Sequence, residues 1–151
     1  MNTLSTYMIS LILLIGIAMP SVQGQDIRNK TRYKVVINHE EQFAVIPVAK
    51  SAPEGWKDTK VEGNLADCQA YIEEVWTDMR PLSVQKMNLP DNTKYRVVIN
   101  HEEQFIIWPV KIKMPVGWKD AKFSGELGKC HDYIEEVWTD MRPLSIRKQG
   151  K

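Results

Sequence analysis

The sequence has few cysteines and histidines and no excess of charge of either sign. Two cysteines and three histidines among 151 residues rule out the dense disulfide framework of many small secreted domains, and they leave no unit with the ligand set of a structural zinc ion. Twenty Lys and Arg face nineteen Asp and Glu, whereas a protein that follows a phosphate backbone concentrates basic residues on one face. We therefore predict no metal site and no nucleic-acid partner.

Charged side chains are also missing from the first 24 positions. Residues 8–19 form an apolar run of signal-peptide length, shorter than the roughly 20 residues of a membrane span. Val22 and Gly24 then provide the small residues of a cleavage site. We predict a signal peptide over residues 1–24, secretion, and no membrane association after its removal. Because this leader has no Lys or Arg before its apolar run, an uncleaved anchor and a mispredicted start of a cytoplasmic protein stay open as alternatives.

One unit occurs twice in the chain. The pattern that begins at Tyr33 begins again at Tyr95, and both copies end in Y-I-E-E-V-W-T-D-M-R-P-L-S with no gap between matched positions. A repeat at fixed spacing decides the architecture before any propensity argument. We predict two tandem domains at 33–86 and 95–148, an N-terminal segment at 25–32, a linker at 87–94 and a tail at 149–151.

Each unit has the pattern strand, strand, strand, helix. Residues 33–38 are rich in β-branched side chains, residues 42–47 are apolar after a polar turn, and residues 56–63 supply a third strand. Apolar residues then recur at helical spacing until Pro81 ends the helix. The predicted fold class is α+β, with each domain a three-stranded antiparallel sheet packed on one C-terminal amphipathic helix. Because the core positions recur in both copies, we also expect each unit to fold alone.

The predicted helix has one apolar stripe. Its members are Leu65, Cys68, Ile72, Val75, Trp76 and Met79. Cys68 and its counterpart Cys130 should therefore be buried free thiols rather than a disulfide, and Trp76 and Trp138 should be core residues. Asn64 is a good N-cap, whereas the second copy has Glu126 there and should begin its helix less firmly.

The sequence contains no convincing catalytic group. His39 and His101 each precede two glutamates in a predicted turn, without a nucleophile in a reactive motif. We expect both to be solvated, and we predict a protein that is not an enzyme and has no cofactor.

Three motifs of the second copy form a specific set. They are F-I-I-W-P at 105–109, P-V-G-W at 115–118 and W-T-D-M-R-P-L-S-I-R at 138–147, and the first copy repeats much of the same pattern. In these motifs the chain closely resembles the MbtH-like family of small proteins. The resemblance covers nearly the whole of both units.

The resemblance implies a non-catalytic partner of the adenylation domains of nonribosomal peptide synthetases, which make siderophores and antibiotics. Such a partner binds the adenylation domain and improves its solubility and its activation of amino acids. The resemblance also implies that Trp108 and Trp118 form a cleft for a small side chain of that domain. We expect Phe105, Pro109 and Arg142 to support this cleft, Arg142 either by fixing the chain after the helix or by meeting a carboxylate on the partner. Two rigid aromatic walls are suited to this task because they bury much area at little entropic cost.

The first copy departs from this pattern. Ile46 stands where the strand Trp belongs, so Trp56 lacks its facing wall, and the serine usual two positions before that Trp is Ala44 in the first copy and Ile106 in the second. We therefore expect the second domain to be the main site, with Trp56 a weak contact. A secreted chain would not meet an intracellular synthetase, so the alternative is a secreted two-domain module that reuses this scaffold to bind an extracellular protein.

Overall fold

The computed structural model describes residues 31–149, so the predicted signal peptide and its cleavage site lie outside the described residues. The first repeat contains β1 (Tyr33–Asn38), β2 (Phe43–Pro47), β3 (Trp56–Gly63), α1 (Leu65–Val75) and α2 (Leu82–Gln85). The second repeat contains β4 (Tyr95–Asn100), β5 (Phe105–Pro109), β6 (Trp118–Gly125), α3 (Leu127–Val137) and α4 (Leu144–Lys148).

Each repeat forms one three-stranded antiparallel sheet, with orders β2-β1-β3 and β5-β4-β6. The registers correspond position by position: Tyr33 faces Pro47 as Tyr95 faces Pro109. A bulge interrupts the pairing of the first and third strands at the same place in both copies. The α+β fold in two tandem units is thus confirmed, including all six predicted strands.

The main helix of each repeat is shorter than predicted. In the first repeat it ends at Val75, and Trp76 leaves the helical conformation while its N–H still bonds the Ile72 carbonyl at 2.8 Å. Val75, assigned to the buried stripe, is 41% exposed, so that assignment is wrong. Met79 is buried, but beyond the helix. After Val75 the chain crosses to the other repeat, where the Met79 carbonyl accepts the Ile107 N–H. The short helices α2 and α4 that follow Pro81 and Pro143 were not predicted.

The helix starts follow the predicted difference. The Asn64 side-chain oxygen accepts the Asp67 backbone N–H at 2.9 Å, whereas Glu126 makes no capping hydrogen bond through its side chain. The capped and uncapped versions of one helix therefore occur in the same protein.

The segment after each helix forms a backbone hydrogen bond with the edge strand of the other repeat. The Ile107 N–H on β5 donates to the Met79 carbonyl at 3.1 Å, and the Val45 N–H on β2 donates to the Met141 carbonyl at 3.3 Å. These bonds cover an edge strand that would otherwise present free backbone groups. We call residues 77–85 and 139–148 the exchanged segments.

The two repeats share one hydrophobic core. A single buried cluster includes Val35 and Ile72 of the first repeat together with Val97 and Ile134 of the second. Within this cluster the rings of Trp76 and Trp138 meet edge to face, 5.8 Å apart at 71°, which is a favourable aromatic geometry. The expectation that each unit contains its own complete core is therefore wrong, because the exchanged segments carry part of each core across.

The cysteines are buried as predicted. Cys68 and Cys130 are both inaccessible to solvent and carry free thiols, and burial raises the pKa of each thiol. They act as small apolar residues of the shared core.

No helix within residues 31–149 is both long and apolar enough to cross a membrane.

Candidate functional site

Each sheet has an outer face that points away from the shared core. Side chains alternate along a strand, so Val35 and Val45 face the core, while their neighbours form a separate cluster on the other side. Outer face 1 consists of Val36, Ala44 and Ile46, with Ala52, Trp56 and Ile146 packed against them. Outer face 2 consists of Val98, Ile106, Trp108 and Val84, with Leu89, Ile112, Met114 and Trp118 packed against them. Val84 and Ile146 belong to exchanged segments, so each repeat covers the outer face of the other.

Trp108 is a fixed part of outer face 2. Its side chain is 9% exposed, and its indole N–H donates to the carbonyls of Ile112 and Lys113, both at 3.2 Å. The ring packs against Ile106 and Val84. The indole is thus held in one orientation by a turn of its own repeat before any partner arrives.

Trp118 lies on the same face and is only partly buried. It begins β6 after a tight turn, in which its N–H donates to the Pro115 carbonyl at 3.3 Å and Gly117 has φ +86°, a conformation that favours glycine. Val116 at the tip of this turn is fully exposed. The structure thereby brings Trp108 and Trp118 into one cluster and places an exposed apolar residue beside them.

Phe105 and Pro109 flank Trp108 along β5 but do not share its surroundings. The Phe105 ring packs 5.6 Å from the Trp138 ring, in the shared core, and Pro109 at the end of the strand is fully buried. Both support the strand that carries Trp108, and Phe105 does so from the opposite face of the sheet.

Arg142 lies in an exchanged segment and contacts the first repeat. Its guanidinium forms a two-pronged pair with Asp140, with a shortest distance of 2.6 Å, and donates to the Tyr33 hydroxyl at 3.2 Å. Burial raises the pKa of Asp140, but the hydrogen bonds from Arg142 outweigh it and bring that pKa below its usual value, while the same pair raises the pKa of Arg142. Of the two roles considered, fixing the chain after the helix agrees with these contacts, because the guanidinium is already engaged within the protein.

Trp56 borders a cavity on outer face 1. Where outer face 2 has the Trp108 ring, outer face 1 has Ile46, which is 2% exposed. A cavity of about 340 Å³ opens there, bounded also by Ala44, Pro53 and Ile146 and by the β4–β5 turn of the second repeat. Trp56 therefore faces open space where Trp118 faces a filled cluster.

The three histidines lie at the surface of the two repeats. His39 and His101 have side chains that are 82% and 84% exposed, as predicted for solvated turn residues. His131, with Asp132 and Glu135, places ligand atoms within 4.8 Å of one another on the surface of α3. His131 is partly buried, whereas Asp132 and Glu135 are exposed. The first repeat has no full counterpart of this grouping, because Gln69 and Ala70 stand at the first two positions.

The comparison with protein families matches both repeats. The model of a family described as MbtH-like protein fits residues 23–88 and again residues 87–150. The chain belongs to the MbtH-like family. Two matches in one chain also confirm the tandem duplication. Members of the MbtH-like family are known as non-catalytic accessory proteins, so membership supports an accessory role related to nonribosomal peptide synthesis.

Two features of this MbtH-like chain were not predicted from the sequence. The cavity is bordered by Ile46 and Ala44, which are smaller than their counterparts Trp108 and Ile106. An alignment of the two copies contains both differences, but the motifs do not show that they border one space. The exposed Val116 is also visible as a difference between the two copies, since the first copy has Glu54 at the equivalent position.

Proposed function

We propose that this protein is a non-catalytic MbtH-like accessory protein that binds an adenylation domain of a nonribosomal peptide synthetase and activates or stabilises it, mainly through the second repeat. The observation that carries the proposal is the arrangement of outer face 2, where the fixed ring of Trp108 and the half-buried ring of Trp118 belong to one cluster. Family membership supplies the class of partner.

The geometry suits an interface anchor. Because the Trp108 indole is already held by two carbonyls, little conformational entropy is lost when a partner docks. A small side chain of the adenylation domain would lie against the accessible part of Trp118, with Trp108 beneath it. Val116 adds exposed apolar surface at the edge, and partly exposed aromatic residues of this kind often dominate binding energy.

The first repeat has a weaker version of this surface. Trp56 is partly buried as Trp118 is, but Ile46 replaces the fixed indole and Glu54 places a charge at the tip of the turn. We therefore expect this repeat to act mainly by covering outer face 2 with Val84.

A matched pair of turn variants tests which repeat docks. Val116→Glu gives the second repeat the first repeat's residue, and Glu54→Val does the reverse. Val116 is fully exposed and makes no packing contribution, so its substitution should leave the melting temperature unchanged. We expect Val116→Glu to weaken capture of a purified adenylation domain from the same genome at least tenfold, while Glu54→Val leaves it unchanged or improves it. Equal binding by wild type and Val116→Glu would contradict docking at this turn.

The second candidate is a secreted two-domain module that binds an extracellular protein. It is favoured by the uncharged first 24 positions, and by Ala44 and Ile106 where the family usually has a serine. In that case the mature chain should begin at Gln25. Intact-mass measurement of the protein from culture medium and from cells decides between the two: a chain retaining Met1 inside the cell contradicts secretion, and a chain starting at Gln25 in the medium contradicts an intracellular synthetase partner.

A further inference from the structure

The outer faces of the two repeats are equivalent surfaces that differ, among other places, at one strand position. Outer face 2 has the indole ring of Trp108 there, and outer face 1 has Ile46. On outer face 2 the Trp108 side chain fills the space between strand and loop, and Ile106 and Met114 complete the packing. The equivalent residues on outer face 1 are Ile46, Ala44 and Ala52, each smaller than its counterpart. These three smaller side chains belong to one cluster. Ile46 and Ala44 line the cavity of about 340 Å³. That volume is within the roughly 300–1,000 Å³ range of small-molecule sites.

The backbone positions that would orient an indole also border the cavity. In the second repeat the carbonyls of Ile112 and Lys113 accept the Trp108 N–H. The residues at the same positions in the first repeat are Lys50 and Ser51, and both line the cavity. The loops fold alike, because the Lys50 N–H bonds the Pro47 carbonyl at 2.9 Å as the Ile112 N–H bonds the Pro109 carbonyl at 3.2 Å.

Those two acceptors are not used elsewhere. Among the hydrogen bonds within residues 31–149, none ends on the carbonyl of Lys50 or Ser51. An aromatic ring carrying one N–H donor therefore matches this site in both shape and polarity. A purely apolar ring would fill the space but leave the carbonyls unpaired, at a cost in affinity.

We propose that the cavity of the first repeat is a binding site for a small molecule built on an indole ring, which takes the position that Trp108 occupies in the second repeat. The ring would lie on Val36, Ala44 and Ile46, with Trp56 at one side and Ile146 at the other, and would donate its N–H to the Lys50 and Ser51 carbonyls. Apolar cavities left by the loss of a large side chain are known to accept ligands of matching shape. This inference concerns outer face 1 and does not depend on a synthetase partner.

The cavity is closed on one side by the other repeat. His101, Glu102 and Gln104 of the β4–β5 turn border it, together with Ser145 of α4. The Ser145 N–H bonds the Glu102 carboxylate at 2.8 Å, so the turn and α4 form one wall. A ligand in this cavity would therefore contact both repeats.

Binding of 5-fluoroindole, followed by ¹⁹F NMR on the full chain, tests the proposal without interference from the five tryptophans. We expect saturable binding with one site per chain and a Kd on the order of 0.1–1 mM, which is typical of so small a ligand. 5-Fluorobenzothiophene has the same shape without the N–H, and should bind roughly fivefold more weakly.

Variants that fill the cavity, or that open an equivalent cavity in the second repeat, provide the controls. Ile46→Trp supplies the ring from within, and Ala44→Ile reduces the space in a milder way, so each should abolish binding or weaken it at least tenfold. Trp108→Gly should create a second site, giving two per chain and a larger rise in melting temperature on addition of indole than wild type shows. If Trp108→Gly does not fold, the comparison of wild type with Ala44→Ile decides.

Three results would overturn the proposal. The first is the absence of saturable binding to wild type at millimolar 5-fluoroindole. The second is equal binding by wild type and a folded Ala44→Ile variant, which would place the ligand elsewhere. The third is binding of N-acetyltryptophanamide without binding of indole, which would assign the cavity to a protein side chain instead.

Discussion

The guanidinium of Arg142 donates a hydrogen bond of 3.2 Å to the hydroxyl of Tyr33, a residue 109 positions earlier in the chain. Arg80 makes the same contact with Tyr95 at 3.3 Å. Both guanidinium groups also lie close to the ring of the tyrosine, at 5.7 and 5.8 Å from its centroid. The D-M-R-P sequence that follows each helix thus ties one repeat to the first strand of the other.

This contact should contribute measurably to stability. Tyr33→Phe removes only the hydroxyl and should lower the free energy of unfolding by about 1 kcal/mol. Arg142→Ala should cost more, about 2 kcal/mol, because it also leaves Asp140 without its partner. Urea unfolding of both single variants and the double variant measures the coupling. Strictly additive effects would contradict an interaction between the two side chains.

A single repeat should not remain a monomer. Residues 87–151 expressed alone lack the first-repeat segment that bonds Ile107 and the helix that brings Val84 onto outer face 2. We expect two copies to exchange their own segments and form a homodimer, as occurs in domain swapping. Size-exclusion chromatography with light scattering measures this directly.

Mixing the halves is the matching control. Residues 25–86 and 87–151, co-expressed as separate chains, should associate one to one, because the exchanged contacts do not require the covalent linker. A monomeric second half that melts as cooperatively and at the same temperature as the full chain would show that the shared core is dispensable.

The two helix starts should respond to substitution in opposite directions. Asn64→Ala removes the bond to the Asp67 N–H and should cost about 0.5–2 kcal/mol. Glu126→Asn supplies a cap where the side chain makes none, and should raise stability by a similar or smaller amount, about 0.5–1 kcal/mol. Thermal melts of the two variants against wild type are sufficient. A destabilised Glu126→Asn variant would mean that the second helix start is held by other means.

Stability should fall at acid pH through Asp78 and Asp140. Burial raises the pKa of each carboxyl, but the hydrogen bonds from Arg80 and Arg142 bring both below the ordinary aspartate pKa of 3.8. A carboxyl whose pKa is lower when folded stabilises the protein above its unfolded pKa, and the contribution disappears as pH falls from about 4 toward the folded pKa. Asp140→Asn should therefore show a smaller loss of unfolding free energy between pH 5 and pH 3 than wild type. An unchanged slope would contradict this account.

The sequence was sufficient to predict the units but not how they combine. Strand limits followed from β-branched runs such as Tyr33–Asn38, and the Asn64 cap followed from its residue type. The exchange was not predictable because the stripe that ends in Met79 has the same periodicity whether that residue packs on its own sheet or on another. Because the crossing segments are identical from Tyr71 to Ser83 and from Tyr133 to Ser145, the two arrangements have the same sequence pattern, and only the position of the crossing chain decides between them.

Only part of the candidate site was predicted from the sequence, for a related reason. Trp108 and Trp118 were found through their motifs, and they do share a cluster. Arg142 belongs to the same family motif, yet it contacts Tyr33 rather than the tryptophans, because motif membership does not specify which repeat a residue will contact. The cavity beside Ile46 required knowledge of what fills the equivalent space in the second repeat.

The most direct test of the central claim is the affinity of an adenylation domain for wild type, Trp118→Ala and Trp56→Ala, measured by calorimetric titration. Trp108→Ala is less suitable, since loss of so buried a ring also costs about 3–5 kcal/mol of stability. If the second repeat carries the interface, Trp118→Ala should lose about 2 kcal/mol or more of binding free energy, roughly thirtyfold in Kd, while Trp56→Ala stays within twofold of wild type. Unchanged affinity in Trp118→Ala, or a larger loss in Trp56→Ala, would contradict the claim that the second repeat is the docking surface.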